Sequence, residues 1–373
     1  MRLLDRYLLR ELMIPLGYCL GGFLLFWVAF DLFNELAQFQ DQKLRGGDVL
    51  QYYLARAPEF LVLVLPIALL LGLLYTLSNH ARHQEITAMR AAGVSLWRLC
   101  LPYLAVGLAA SCFSFALNEL WVPKTSEHAE YIFNRRLQKP NRPGKDSVPN
   151  AGLANLREQR TWLAGQYNSR TSEMLNPQVI WTLPNGAQLW LYASRAARIK
   201  GVWTFFDARQ YMAAGESDAM LAPSVQTNVL AMPQFAETPE EIQSEIEISK
   251  GMSLRGRNKA DIPIARILDY LRLHPQPADS IKSWLYTKLH GRLAMPWTCL
   301  VVVLIAAPFG AVTGRRNVFV GVASSLVICF VFFVLQQVGI ALGTGGYLPS
   351  WLAAWFPNIS FSLAGLLMMA RVR

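Results

Sequence analysis

The residues best equipped for chemistry lie in one short polar stretch, residues 80–97 (HARHQEITAMRAAGVSLW), set between two long apolar runs. His80 and His83 stand three apart, so a helix would put both on one face, where they could share a metal ion. No cysteine and no second carboxylate pair joins them, and a solvated, positively charged loop is the better reading. None of the five histidines (80, 83, 128, 274 and 290) stands in an HExxH or other ligand spacing. The chain has no GxxxxGK[ST] loop for ATP phosphates and no GxSxG elbow for a nucleophilic serine. Ser111, Ser114, Ser324 and Ser325 fall inside apolar runs, where small polar residues serve helix packing. The five cysteines (19, 100, 112, 299 and 329) lie in or at the end of apolar runs without a CxxC, and read as small packing residues. We therefore expect no catalytic residue, no metal site and no cofactor.

A mechanical role fits the same stretch better. Ile86, Met89 and Ala92 recur at helical spacing, Gly93 breaks the pattern, and Ser95 can cap the following helix. A short helix pinned between two membrane spans can receive force from a partner; the plainer alternative is an ordinary membrane-surface loop. Two further groups stand near span ends. Asp31 is an acid at the end of the first apolar run; such acids are functional candidates, and its position favours a water-facing side chain. Lys124, Arg135, Arg136, Lys139, Arg142 and Lys145 form a basic run beyond the third. It could meet a phosphorylated lipid headgroup, or be a solvated run softened by Glu127 and Glu130.

The elements that must position these residues follow from composition. Of 373 residues, 53% are hydrophobic and only 16% charged, which is membrane-protein composition. The net charge of +10 is no nucleic-acid footprint, because basic residues flank apolar runs or mix with acids. A bilayer core needs ~20 apolar residues per helix. Six runs qualify: 12–33, 60–78, 96–118, 293–313, 318–342 and 351–370. The first follows Arg2, Arg6 and Arg10 like a signal peptide, yet is too long for one and lacks a cleavage site, so it is expected to be retained. Pro66, Pro296 and Pro308 fall inside runs, which neighbouring helices can tolerate. Arginines 2, 6, 10, 82, 90, 98, 315, 316, 371 and 373 share one side of this topology, and the other side's short loops hold only Lys43, Arg45 and Arg56. The positive-inside rule then puts both termini and residues 80–97 in the cytoplasm, and the long middle segment outside.

That middle segment is too polar to be buried and too long to be a loop. Prolines 140, 143 and 149 with Gly144 mark a linker. Strand-like runs follow at 161–167 and 178–183, then a Pro184-Asn185-Gly186 turn and 188–193. Lys200-Gly201 precedes another at 202–206, and 242–249 reads as a last strand, before helices from 263 and 279. The expected class is an α+β membrane protein: six transmembrane helices in two groups of three, with an inserted β-sandwich or jelly-roll domain. Domain bounds are 1–137 for spans one to three, with a force-receiving helix at 80–95; 138–260 for the β domain; and 261–373 for connecting helices and spans four to six.

Several motifs, in order along nearly the whole chain, resemble one family. They are Leu4-Asp5-Arg6-Tyr7; Arg82-His83-Gln84-Glu85 with Met89-Arg90-Ala91-Ala92-Gly93; and Asn118-Glu119-Leu120-Trp121-Val122-Pro123. Pro296, Pro308-Phe309-Gly310, Leu348-Pro349 and Trp355-Phe356-Pro357-Asn358 continue the series. The chain resembles the LptF/LptG-type lipopolysaccharide export permeases, the opening leaning towards the LptG branch. The resemblance implies a bacterial inner-membrane subunit of an ABC exporter that extracts lipopolysaccharide. Its implied partners are a cytoplasmic ABC ATPase dimer, a second six-span permease paralogue and a periplasmic bridge protein. It makes 80–95 the coupling helix, with Arg82, Glu85, Met89 and Arg90 meeting the ATPase and Glu85 as the acidic contact. Some members carry lysines at the outer end of span one for lipid phosphates. Here that region reads DLFNELAQ, the basic residues come later at Lys43 and Arg45, and Arg135 and Arg136 with Lys124 are the substitutes. The alternatives are an intramembrane hydrolase, for which no paired nucleophile and base is seen, and a membrane receptor with a periplasmic ligand-binding domain.

Overall fold

The computed structural model describes residues 3–134, 147–155, 158–184, 186–213, 224–252, 262–275, 277–312 and 318–371. They form two compact units, one of residues 1–137 with 279–373 and one of residues 138–278.

The first unit is helical: α1 Leu3–Asp41, α2 Gly46–Arg82, α3 Glu85–Ala91, α4 Leu96–Ala116 and α5 Val122–Asn134, then α8 Asp279–Ala294, α9 Thr298–Val312, α10 Val318–Thr344 and α11 Ser350–Arg371. Five helices among the described residues are long and apolar enough to cross a membrane, and α10 adds a sixth apolar helix. α1 and α2 outrun the apolar runs that announce them. α1 has 39 residues, or ~58 Å, against a hydrocarbon core of ~30 Å.

α2 is the centre of this unit. In its apolar stretch 72% of residues are buried, against 11% in α1. Leu65, Ala68, Leu69 and Leu73 of α2 pack with Leu8, Leu12 and Leu16 of α1, Leu99 and Tyr103 of α4, and Cys299, Val302 and Val303 of α9. Gly72 makes the close approach possible: a Cβ there would stand 3.1 Å from the Leu16 backbone.

Two irregular turns have visible causes. Leu117–Trp121 is π-helical, just before Pro123, which has no N–H to donate. The guanidinium of Arg292, 2% exposed, donates to the Asn118 carbonyl at 2.6 Å. Met295–Trp297 is a 3₁₀ turn around Pro296, and Asn358 Nδ2 donates to the Ala294 carbonyl beside it at 2.6 Å. Both motif asparagines thus serve helix interruptions.

The second unit is an antiparallel sheet with two helices. Its strands are β1 Ser147–Asn155, β2 Arg160–Asn168, β3 Glu173–Thr182, β4 Gln188–Tyr192, β5 Arg195–Ile199, β6 Val202–Ala213 and β7 Val225–Met232. β4 and β5 are two halves of one line between β3 and β6, so the order is a consecutive meander. Asn185 of the expected turn lies outside the described residues.

A crease crosses every strand at the same level. The ladders are interrupted by one residue on each strand, at Asn150 and Gly165, Gly165 and Asn176, and Asp207 and Asn228, and Ser194, between β4 and β5, accepts from Asn176 N at 2.9 Å and donates its hydroxyl to Asp207 at 2.8 Å. Asn150, Asn176 and Asp207 have φ of 50°, 50° and 52°, a left-handed backbone that Asn, Asp and Gly adopt most readily. The inward parity changes at this line: Trp162 and Ala164 are buried before it on β2 and Tyr167 after it, and Trp203 and Phe205 before it on β6 and Ala208 after it. Each strand therefore bends while keeping one face on a single core of Trp162, Val179, Leu191, Trp203, Phe205 and Phe235.

Residues 242–249, read above as a strand, are helical and belong to α6, Pro239–Met252. The cause is a capping box: Thr238 N donates to Glu241 Oε2 at 2.7 Å, and Glu241 N to Thr238 Oγ1 at 3.2 Å. Ile242 and Ile246, four apart, enter the sheet's core. α7, Ile264–Leu273, joins α6 through Tyr270, whose hydroxyl donates to Glu245 at 2.7 Å. Burial first, then the Glu245 carboxylate, raises the Tyr270 pKa and keeps the phenol a donor.

Candidate functional site

The helix within residues 80–97 is α3, seven residues long. Residues 80–82 close α2, Gln84 turns the chain at φ 60°, and Gly93 at φ 83° ends α3. Ser95 accepts from Arg98 N at 3.3 Å as the cap of α4. Ile86 is buried and Met89 half-buried against α1, α2 and α4, while Arg82, His83, Thr87 and Arg90 are exposed.

Glu85 fastens this helix to its neighbours. Its Oε2 accepts from the Tyr7 hydroxyl of α1 at 3.0 Å and faces His80 Nδ1 of α2 at 2.6 Å. The Tyr7 and His80 rings lie 5.7 Å apart. Its other oxygen, Oε1, has no hydrogen-bond partner among the described residues, and the side chain is 35% exposed. His80 is 1% exposed, so the solvated-loop reading holds for His83 and fails for His80. α1 and α4 cover the end of α2, and Leu8, Leu99 and Tyr103 line one cavity with His80. Nearby, Arg98 of α4 donates to both oxygens of Asp5 at 2.9 Å. The LDRY opening thus supplies two ties, Asp5 and Tyr7, that hold α1 to α4 and α3.

A second polar cluster sits at the opposite end of the α1–α2 pair. Asp31 of α1 accepts from Tyr53 at 3.1 Å and from Arg56 at 3.1 Å, both of α2. Arg56 also donates to Tyr52 at 2.9 Å and to Glu59 at 3.3 Å, and lies 4.8 Å over the Phe60 ring. Asp31 and Arg56 are 19% and 17% exposed, so Asp31 is an interhelical partner rather than a water-facing acid. Phe39, Tyr52, Tyr53 and Phe60 close over this pair together with Ala129 and Ile132 of α5.

Lys43 and Arg45 are exposed in the α1–α2 turn at this same end, and Lys124 is exposed on α5. Arg135 and Arg136 lie outside the described residues, as do Lys139, Arg142 and Lys145. Among the described residues no three His, Cys, Asp or Glu side chains come together as metal ligands would. Sequence reading missed Tyr7, Arg98, Tyr53 and Arg292. The available signal was that a charged or phenolic residue at a span end needs a partner.

A family model described as the lipopolysaccharide export system permease LptF/LptG matches residues 6–371. The chain is similar to lipopolysaccharide export system permease protein LptF of Escherichia coli strain K12, of E. coli O157:H7 and of Shigella flexneri. Each is 23% identical over 377 residues, covering 95% of this chain and 91% of the relative. The match runs through the apolar helices, the polar insert and the inserted antiparallel sheet alike, and the chain belongs to the LptF/LptG family of lipopolysaccharide export permeases.

Proposed function

We propose that the chain is the transmembrane subunit of an ABC exporter in the bacterial inner membrane, extracting lipopolysaccharide and passing it to a periplasmic bridge protein. A separate cytoplasmic ATPase dimer drives it, a second six-span paralogue completes the permease, and both termini lie in the cytoplasm. The chain itself contributes levers and no catalytic group. α3 is the coupling helix, offering Arg82, Glu85, Met89 and Arg90 to the ATPase.

The observation that carries this reading is the fastening of α3. Glu85 joins it to α1 and α2, and Asp5–Arg98 joins α1 to α4. A push on a seven-residue helix tied in this way displaces three spans together. Apolar side chains left exposed on α1 (Leu25, Phe26, Phe30) and α10 (Phe330, Val331, Val334) support a lipid-facing path along these two helices. Each acyl CH₂ buried there is worth ~0.8 kcal/mol. Lys43, Arg45 and Lys124, with Arg135 and Arg136, are the cations for lipid phosphates.

The test is co-purification of the tagged chain with its cognate ABC ATPase and paralogue from native membranes, followed by lipopolysaccharide release from vesicles on ATP addition. ATP turnover by the purified chain alone, or protease access to residues 140–260 from the cytosol, overturns the reading. Complementation of strains lacking one or the other paralogue tells which place in the pair it fills.

A further inference from the structure

Glu85 divides its two oxygens between different tasks. Both internal contacts, from Tyr7 at 3.0 Å and His80 at 2.6 Å, fall on Oε2. Oε1 is left without a partner among the described residues on a side chain that is 35% exposed. His80 is 1% exposed and lines an apolar cavity together with Leu8, Leu77, Ile86 and Leu99, so bulk solvent does not compete for its ring. Its proton is assigned to Nδ1, the nitrogen that faces the carboxylate. A glutamate on an open surface loses rotamer freedom when it binds; here that freedom is already gone in the free protein.

We infer that Tyr7 and His80 are positioning residues for Glu85, holding Oε2 so that Oε1 presents to a cationic side chain, arginine or lysine, of the ATP-hydrolysing partner. The inference rests on the reading of α3 as the ATPase contact and adds what aims it. The two helices that carry Tyr7 and His80 are the ones the contact has to move. The same hydrogen bonds that orient the carboxylate therefore carry its displacement into α1 and α2.

A double-mutant cycle on the full permease pair in nanodiscs, titrated with the cognate ABC ATPase, tests it. Tyr7→Phe removes one hydrogen bond from a half-exposed ring and leaves the packing in place. His80→Asn keeps a donor near the Nδ1 position, and His80→Leu removes it. Tyr7→Phe and His80→Leu are each expected to raise the ATPase concentration for half-maximal assembly about two- to tenfold. His80→Asn should recover part of the His80→Leu loss. In a Glu85→Gln background Tyr7→Phe should have no further effect, which a general loss of stability would not produce. Equal losses in both backgrounds, or a silent Tyr7→Phe beside a damaging Glu85→Gln, overturn the positioning role alone. A silent Glu85→Gln overturns the ATPase contact beneath it as well.

Discussion

The α1–α2 pair is fastened at both ends by a carboxylate, a tyrosine and a cation or histidine, and the two fastenings differ in exposure and in the element that carries the carboxylate. Asp31 lies on α1 itself, 19% exposed, and the guanidinium facing it reaches Asp31, Glu59 and Tyr52 and rests on Phe60, under a lid of aromatic rings. Glu85 is 35% exposed, faces a histidine instead of a guanidinium, and sits on neither helix but on the short α3 between α2 and α4. The two clusters are roughly two dozen residues apart along α1, or ~36 Å, which spans a ~30 Å hydrocarbon core. An enclosed cluster on the two helices themselves holds them together. A more exposed one, on a separate element, can hold them and still be reached from outside. Similar side-chain types thus make a joint at one end and, on the proposed function, a contact at the other.

The comparison breaks most easily at the enclosed end. Arg56→Met leaves Asp31 enclosed with only Tyr53 as its hydrogen-bond donor, and stability in detergent should fall by about 2–4 kcal/mol. A thermal melt shifted by less than ~1 kcal/mol would mean that the pair is solvated and the two ends are alike. Next comes Glu85→Lys, which should lower co-purification of the ATPase at least tenfold, about 1.4 kcal/mol, while moving the melting temperature less than Arg56→Met does. Unchanged ATPase yield would remove the distinction between joint and contact.

Two smaller effects sharpen it. Tyr53→Phe should cost about 1 kcal/mol of stability and leave ATPase binding alone. Tyr7→Phe should cost about half that in stability, being partly exposed, and weaken ATPase binding instead. A paired measurement of melting and assembly for the two variants reads this crossing pattern directly. The smallest effect is expected from Lys43→Glu with Arg45→Glu, two exposed cations: lipid crosslinking at the α1–α2 turn should fall by a few-fold, and stability should change by less than about 0.5 kcal/mol.

The spans and α3 were legible in the sequence because apolar runs and i, i+3 spacing are local signals. The clusters were not. Tyr7 and Glu85 are 78 residues apart, and Arg98 and Asp5 are 93 apart, so no window of sequence holds both partners. Asp31 was visible as an acid near a span end, and Arg56 as a loop cation, yet nothing local says that they meet. In the inserted domain the broken alternation of β2 has a definite cause. Gly165 lies on the crease, and the buried residues shift from Trp162 and Ala164 to Tyr167 across it. The segment 242–249 was misread because its isoleucines suggested a pleat, while the Thr238–Glu241 box immediately upstream dictated a helix.

The aligned row of Asn150, Gly165, Asn176, Ser194, Asp207 and Asn228 also acts as a keyway. Pleated neighbours can ordinarily slide by two residues and still keep their apolar side chains inward. Here a slide of β1, β3 or β6 would carry its left-handed residue, Asn150, Asn176 or Asp207, out of line with the row. Backbone shape thus adds to side-chain packing in fixing the registration.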